Sequence, residues 1–333
     1  MGKGYQPPFS VNAAIIVLIA AISEQLGRLS VAAERRNALR LRRINRIRTV
    51  QGSLAIEGNT LSTAQITAIL EGKVVLAPPR EVQEARNALA AYDQLQQWQP
   101  TAEQHLLAAH GALMRGLIDD AGRYRHGGVG VMLGEQVVHM APPAERVPLL
   151  MADLLHWLAT TEQHPLIASC VFHYEFEFIH PFSDGNGRLG RLWQSLILSH
   201  WNPLFAYVPV ESLVHAHQQG YYAAINSSTQ QGDSGVFIEF ILARLLEAMV
   251  AAAGADHILA TPVKTPVKTP VKTADQLLQL LRQQPQLTLS AAAAELGKST
   301  SAIERAARKL REQGLLRYQG PQKGGYWQVM GEG

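Results

Sequence analysis

The string HPFSDGNGRLGR, residues 180–191, concentrates side chains that could transfer a phosphorus-containing group. A histidine imidazole takes up a proton near neutral pH, which suits His180 to accept one from an attacking hydroxyl. Asp184 supplies the hard oxygen ligand that Mg²⁺ prefers when it bridges phosphates. Arg188 and Arg191 lie three residues apart, so on a helix they share a face and both can bind phosphate oxygens bidentately. The pattern predicts group transfer in which positioning and charge stabilisation supply most of the catalysis.

The residues between the acid and the arginines, Gly185-Asn186-Gly187, predict a turn that exposes backbone N–H groups. Such a turn forms an anion nest, and a helix that begins at Arg188 would add the positive end of its dipole. Taken separately, the fragments DGNG and HPF are typical of an ordinary turn and of a structural histidine before a proline. Only the joined string is specific enough to indicate a nucleotide site.

The complete string matches HxFx(D/E)GNGRxxR at every defined position, and in this the chain resembles the Fic family. The resemblance implies a mainly α-helical fold and transfer of AMP from Mg-ATP to a Ser, Thr or Tyr hydroxyl of a target protein or of the enzyme itself. It implies His180 as the general base, Asp184 as the Mg²⁺ ligand and Phe182 as the anchor of the loop. It also implies a set of phosphate- and nucleotide-binding residues: Gly185, Asn186, Gly187, Arg188, Arg191 and the pair Tyr221 and Tyr222.

A second string, SLAIEG from Ser53 to Gly58, matches the inhibitory pattern (S/T)xxxE(G/N) of the same family. Ser53 and Glu57 are four residues apart and therefore share a helix face. The resemblance implies an inhibitory helix at about 48–58 whose Glu57 pairs with Arg191. Without the rest of the resemblance, Glu57 would be interpreted as an exposed glutamate before a turn. Removal of AMP from the target is a further hypothesis for this glutamate.

The segments around these motifs have a predominantly helical pattern. One segment, 129–140, is instead rich in β-forming residues around a Gly-Glu turn and predicts a hairpin. The resemblance implies that this hairpin is a flap on which a segment of the target protein docks by strand addition. Apolar residues at spacings of three and four predict helices over 11–29, 82–98, 147–159, 166–179 and 236–250.

The 333 residues are enough for a large domain and a small one. We predict a catalytic body at 1–255 and a linker at 256–273, where proline at every fourth position of a TPVK repeat blocks a helix. The order helix, helix, longer helix, strand, strand predicts a winged helix-turn-helix at 274–333. Its basic residues make DNA a candidate partner, with protein contacts or dimerisation as the alternative: Lys298, Arg305, Arg308, Lys309, Arg311, Arg317 and Lys323.

Composition narrows the class of protein further. A formal net charge of +3 does not by itself imply an acidic partner, and the basic run from Arg28 to Arg48 is typical of a solvated helix face. Cys170, the only cysteine, excludes a disulfide, predicts a buried thiol and favours the cytoplasm. The apolar run at 13–22 is too short to span a bilayer, so no membrane partner is expected. The sequence leaves open whether the protein forms a homo-oligomer.

Two other functions are compatible with the same motifs. One is a DNA-binding regulator whose body senses a nucleotide without catalysis, although a sensor has no need of His180 as a base. The other is a transferase that uses a different nucleotide or phosphodiester donor. His173 and Glu177 suggest a metal site together with His180, but the HExxH spacing is absent and we predict a structural role for both.

Overall fold

The structure is a computed structural model that describes residues 5–33, 38–128, 130–133, 136–260, 273–296, 298–312, 314–321 and 325–330. The chain divides into two compact units, Met1–Thr261 and Pro262–Gly333. The fold is mainly α-helical, as predicted, with two-stranded sheets. Residues 261–272 of the TPVK segment, residues 129 and 134–135 of the predicted hairpin, and Gly297 and Lys323 lie outside the described residues.

The described part of the first unit contains eleven α-helices, and each predicted range corresponds to one of them. The helices are α1 Ala13–Ala33, α2 Ala38–Ile56, α3 Thr63–Leu70, α4 Pro79–Asp93, α5 Glu103–Met114, α6 Val147–Thr160, α7 Pro165–Ile179, α8 Asn186–Trp201, α9 Val210–Ala216, α10 Gln218–Gln231 and α11 Gly235–Ala260.

Three predicted boundaries are wrong. The inhibitory helix was expected at about 48–58, but α2 begins at Ala38 and ends at Ile56, so that Glu57 is the first residue after it. The helix of the motif was expected to begin at Arg188, but α8 begins at Asn186. The body was expected to end at 255, but α11 continues to Ala260, within the range predicted as linker.

Helix α7 forms the centre of the first unit. Pro165 suits its first turn because the missing N–H would have no intrahelical partner there, and the His164 side chain accepts a hydrogen bond from Leu166 N. Every residue from Leu166 to Phe176 is buried, which requires neighbours on all sides. Helix α8 packs closely against α7 at Gly190, where a Cβ would lie 2.9 Å from Glu177 Oε1.

The predicted hairpin is present as strands β1 Gly130–Leu133 and β2 Gln136–Met140, which pair in antiparallel fashion. The register is irregular between Val131 and Met132. The hairpin follows α5 in the chain and precedes α6.

The second unit contains α12 Thr273–Gln283, α13 Leu289–Glu295, α14 Thr300–Glu312, β3 Leu316–Gln319 and β4 Tyr326–Val329. The elements follow the predicted order, and β3 pairs with β4 in antiparallel fashion. The side chain of Thr288 caps α13 by accepting from Ala291 N. A separate small core unites the three helices with the sheet: Leu277, Leu281, Ala292, Ala293, Ile303, Ala307, Leu310, Leu316 and Trp327.

Two observations bear on composition. Cys170 is buried as predicted, and this burial raises the pKa of its thiol to about 12. Within the described residues, no helix is both long and apolar enough to cross a membrane.

Candidate active site

His180 lies at the C-terminal end of α7 in a left-handed backbone conformation, with φ 50° and ψ 62°. Among the described residues it is the only non-glycine with a positive φ, and this conformation is uncommon outside glycine. Its Nδ1 lies 3.4 Å from Glu177 O. Because a carbonyl oxygen can only accept, Nδ1 carries the proton in this contact. A neutral ring then presents Nε2 as an acceptor, as a general base requires.

Phe182 anchors the loop that follows His180. Its side chain is fully buried and stacks on the His110 ring, with the centroids 3.7 Å apart and the planes 11° apart. The Asn186 amide holds the Phe182 backbone from the other side, since Oδ1 accepts from Phe182 N at 2.9 Å and Nδ2 donates to Phe182 O at 2.8 Å. Truncating such a buried ring costs about 3–5 kcal/mol, so the loop is firmly held.

His110 fixes the next part of the loop. Its Nδ1 accepts from Gly122 N at 2.9 Å, and its Nε2 lies 2.9 Å from Asp184 O. One nitrogen must accept and the other must donate, which defines a neutral ring protonated on Nε2. Burial lowers the pKa of His110, by more than the Asp184 carbonyl and nearby carboxylates raise it. The ring therefore stays neutral and supports the backbone at Asp184.

The N-terminus of α8 follows directly. Gly185 precedes the helix at φ 85°, where a Cβ would also lie 2.6 Å from Met114 Sδ. The first turn of a helix leaves backbone N–H groups without intrahelical partners, and here it begins with Asn186, Gly187 and Arg188. The Asn186 side chain is occupied by the loop, so its contribution to an anion site would come from the backbone.

Arg191 is buried between α8 and the end of α2. Its Nε donates to Ser53 Oγ at 3.2 Å, and its Nη2 donates to Ser53 O at 3.0 Å and to Glu57 Oε1 at 2.6 Å. Burial lowers the pKa of Arg191. Glu57 and, more weakly, Tyr221 and Glu177 raise this pKa by a larger amount, so the net pKa is above its ordinary value. A Cβ on Gly187 would lie 2.5 Å from Glu57 Oε1. The Glu57 carboxylate thus occupies the space above the first turn of α8.

Arg188 has a different environment. Its Nη2 donates to Asp184 Oδ1 at 2.9 Å, and its Nη1 lies 3.6 Å from Glu84 Oε1, outside hydrogen-bond geometry. The residue is only 5% exposed, and its buried Nε and Nη1 have no hydrogen-bond partner. Unsatisfied buried donors are costly, by about 1–3 kcal/mol each. A phosphate oxygen at this position would satisfy them.

The Asp184 carboxylate fits a Mg²⁺ that arrives with phosphates. It is partly exposed and binds Arg188 on one oxygen and Arg80 on the other, at 3.2 Å. The described residues contain no cluster of three or more His, Cys, Asp or Glu side chains suited to hold a metal. One accessible carboxylate is nevertheless sufficient for Mg²⁺, which commonly takes its other ligands from phosphates and water.

The two tyrosines of the pair Tyr221 and Tyr222 differ in burial. Tyr221 is only 2% exposed, and its hydroxyl lies 3.1 Å from His173 Nε2. His173 Nδ1 lies 2.7 Å from Gln194 Oε1, so both ring nitrogens of this histidine are occupied. Tyr222 packs edge-on against Tyr221 and is only partly buried. Tyr222 is therefore the more accessible ring of the pair, and Tyr221 supports it.

Four residues at the site were not found from the sequence. His110 and Arg125 support the loop backbone, while Arg80 and Glu84 from α4 contact Asp184 and approach Arg188. None of the four lies in a short motif or has a distinctive spacing to the 180–191 string. Only the tertiary structure brings them to it, since Arg80 and Glu84 lie on α4, His110 lies on α5 and Arg125 lies between α5 and β1.

The fold and the motif define a mainly helical protein with a phosphate-friendly loop between two packed helices. A model of the Fic/DOC family matches residues 100–198. The chain is similar to the crystal structure of a Fic family protein from Desulfovibrio desulfuricans G20, with 46% identity, 99% coverage of both chains and a TM-score of 0.74. It is also similar to Fic-1 from C. elegans, with 25% identity, coverage of 73% of this chain and 74% of that one, and a TM-score of 0.58.

The chain belongs to the Fic family. Protein adenylyltransferase fic-1 of Caenorhabditis briggsae is 30% identical over 226 residues, which are 62% of this chain and 42% of the relative. Protein adenylyltransferase Fic of Nematostella vectensis is 29% identical over 212 residues, which are 60% of this chain and 47% of the relative. The chain thus spans less than half the length of these curated relatives.

Proposed function

We propose that this protein is an adenylyltransferase that moves AMP from Mg-ATP to a Ser, Thr or Tyr hydroxyl, on a target protein or on itself. The observation that carries the proposal is the pair of unsatisfied buried nitrogens on Arg188, beside the N-terminus of α8 and a histidine poised to accept a proton. Similarity to relatives named protein adenylyltransferase supports the same reaction and ATP as its donor. The single buried cysteine is compatible with a cytoplasmic reaction.

In the proposed reaction, His180 Nε2 takes the proton of the target hydroxyl as its oxygen attacks the α-phosphorus of ATP. The bond from that phosphorus to the bridging oxygen breaks, and pyrophosphate leaves with the bonding electrons. Arg188 and the first-turn N–H groups of α8 would hold phosphate oxygens. Mg²⁺ held by Asp184 would neutralise phosphate charge. The target segment would dock on the flap, β1–β2, by adding a strand.

The proposed enzyme restrains itself through Glu57. The carboxylate satisfies Arg191 at 2.6 Å and lies over Gly187, so it competes with a phosphate for both the guanidinium and the end of α8. ATP could then bind only with its terminal phosphate displaced, in a pose unsuited to in-line attack. The same carboxylate could activate water for removal of AMP, which we keep as a secondary proposal.

Transfer of label from α-labelled ATP tests the proposal. We would compare wild type, Glu57→Gly and Glu57→Gly/His180→Ala with Mg²⁺ and detect labelled bands of the protein itself and of a cell lysate. We expect strong labelling by Glu57→Gly, weak labelling by wild type and a loss of at least about a hundredfold in the double variant, because a general base contributes that much. ATP binding without labelling in every variant would contradict the transferase and favour a nucleotide-sensing regulator.

A different donor is the next alternative. Unlabelled GTP, CTP, UTP and a choline diester would be added in excess to the Glu57→Gly reaction. Competition by ATP alone supports AMP transfer. Stronger competition by one of the other compounds would indicate that this compound, rather than ATP, is the donor. The proposed role of His180 as the base would be unchanged.

A second candidate function is DNA binding by the Pro262–Gly333 unit, whose helices and strands follow the order expected for a winged helix. Charge supports it, because this unit carries a formal net charge of +6 and Met1–Thr261 carries −3, which together give +3. Helix α14 buries Ile303, Ala307 and Leu310 in the core of the unit, and the basic residues of this helix are exposed: Arg305, Arg308, Lys309 and Arg311.

Anisotropy of labelled random duplex DNA with the full chain, at several salt concentrations, tests this candidate. Arg305→Ala/Arg308→Ala should weaken binding and reduce the slope of log K against log salt by about one for each phosphate that is no longer neutralised. Glu304→Ala/Glu312→Ala, on the same helix, is the matched control and should not weaken binding. Equal binding by both pairs would indicate that this helix does not meet DNA and would favour protein contacts or homo-oligomerisation.

A further inference from the structure

Arg125 is a buried arginine outside the motif that donates only to backbone carbonyls among its described contacts. It is 3% exposed. Its Nε donates to His180 O at 2.7 Å, its Nη1 to Gly127 O at 2.8 Å, and its Nη2 to Pro142 O at 2.5 Å and Ile179 O at 3.3 Å. A set of carbonyls this dispersed needs the planar, many-donor fork of a guanidinium.

One side of this fork sets the backbone around His180. The side chain binds the carbonyls of Ile179 and His180, and the backbone N–H of Arg125 donates to Pro181 O at 3.0 Å. Three successive carbonyls therefore have partners on one residue. The last carbonyls of a helix lack intrahelical donors, and the left-handed conformation of His180 persists only where its surroundings impose it.

The other donors of the Arg125 guanidinium hold the two ends of the hairpin, which we call the flap base. Gly127 precedes β1 and Pro142 follows β2, so the two carbonyls bracket the hairpin. The guanidinium joins them to each other and to His180 through single hydrogen bonds.

We propose that Arg125 is a positioning residue that fixes the flap relative to His180, so that a hydroxyl on a docked segment lies within reach of the imidazole. The inference rests on the proposed transferase function and adds a specific residue to it. Arg125 does not touch the phosphate-binding groups, Arg188 and the first turn of α8, in the described contacts. Its loss should therefore slow transfer while nucleotide affinity is retained.

Self-modification by α-labelled ATP in the Glu57→Gly background measures this separation. Arg125→Ala should lower the rate at saturating ATP by about a hundredfold, as expected when reacting groups are misplaced by about 1 Å, with half-saturating ATP changed by less than about twofold. Arg125→Lys should not restore the rate, because three donors on one nitrogen cannot span four carbonyls. Millimolar ethylguanidine should partly restore Arg125→Ala and leave Arg125→Lys unchanged.

A matched control separates positioning from stability. Ile22→Ala truncates a fully buried side chain on α1 and should lower the melting temperature without changing the rate at saturating ATP. Equal losses of rate in Ile22→Ala and Arg125→Ala, or a parallel loss of ATP affinity in Arg125→Ala, would reduce Arg125 to a structural residue.

Hydrogen exchange gives a readout that does not depend on transfer. Without nucleotide, Arg125→Ala and Arg125→Lys should accelerate exchange together in peptides covering 136–142 and 179–183, and Ile22→Ala should not. Unchanged exchange in either peptide would overturn the inference even if labelling is absent. If Glu57→Gly labels and Arg125→Ala labels equally well, this inference alone fails; if Glu57→Gly never labels, the transferase proposal fails instead.

Discussion

The two motif arginines lie one turn apart on α8, yet their surroundings differ in kind. The Nε and Nη2 of Arg191 donate to Ser53 and Glu57, at and just after the end of α2. Arg188 binds Asp184 but keeps two buried nitrogens without a hydrogen-bond partner. Buried donors are rarely left unsatisfied without a functional reason. The contrast indicates a site prepared for an anion at Arg188 and closed by the protein's own carboxylate at Arg191.

The largest expected effect comes from removing Arg188, whose buried nitrogens are available to an anion. In the Glu57→Gly background, Arg188→Ala should lower kcat/KM for transfer by about a hundredfold or more, because truncating one partner of a buried charge pair costs about 2–5 kcal/mol. Arg80→Ala is the matched control, since Arg80 also contacts Asp184 but is 56% exposed. Its loss should cost no more than a few-fold. Comparable losses in both variants would mean that the burial of Arg188 is irrelevant to its role.

Opening the closed side should have the next largest effect. Glu57→Gln keeps the shape of the side chain and removes the charge that binds Arg191. Since a charged hydrogen bond contributes about 1.5–3 kcal/mol, self-labelling should rise by at least about tenfold over wild type. Rates of self-labelling for wild type, Glu57→Gln and Glu57→Gly measure this. Activation only by Glu57→Gly would show that the bulk above Gly187, rather than the charge, closes the site.

A smaller opening is expected from Ser53→Ala. This change removes the hydroxyl that accepts from Arg191 Nε at 3.2 Å but leaves the Ser53 carbonyl and Glu57 in place. One neutral acceptor contributes about 0.5–1.5 kcal/mol, so self-labelling should rise by only a few-fold. A rise as large as that of Glu57→Gln would assign the closure to Ser53 as much as to the glutamate.

The difference between the two arginines also shows what the sequence can and cannot predict. His180, Asp184, Arg188 and Arg191 are close in the chain, so a short string specifies their arrangement through one loop and one helix turn. Glu57 lies 134 positions before Arg191, and only a recognisable pattern indicated it. His110 and Arg125 meet the loop across 74 and 55 positions, and a single histidine or arginine has no periodic signature.

Helix boundaries were less predictable than helices, for local reasons. Glycine and asparagine at 185–187 suggested that α8 could begin only at Arg188. The helix begins at Asn186 because the Asn186 amide is engaged with Phe182 and the first turn tolerates residues of low helix propensity. Tyr221 and Tyr222 looked equivalent in the sequence. Which of two adjacent rings is buried depends on the position of α7 and α11, and this requires the tertiary structure.

The smallest expected effect is a pH dependence on the Arg188 side. His110 holds Asp184 O, and Asp184 in turn binds Arg188. Burial, the largest influence, lowers the pKa of His110 below its ordinary value of 6.5. As the pH falls, the unfolded chain takes up this proton before the folded one, so stability is complete above about pH 6.5 and is lost as the pH falls through the folded pKa. On the Arg191 side the sign is reversed, because burial raises the pKa of Glu211, whose carboxyl interacts with Arg191.

Melting temperatures of wild type and His110→Gln between pH 7.5 and about pH 5 measure this contribution. Burial also lowers the pKa of His164, so the informative quantity is the difference between the two proteins rather than either curve. Wild type should be the more stable at neutral pH, and the difference should shrink on acidification, each 1 kcal/mol corresponding to about 2–4 °C in a protein of this size. Parallel curves would mean that His110 keeps its hydrogen bonds when protonated and that the Arg188 side is insensitive to pH in this range.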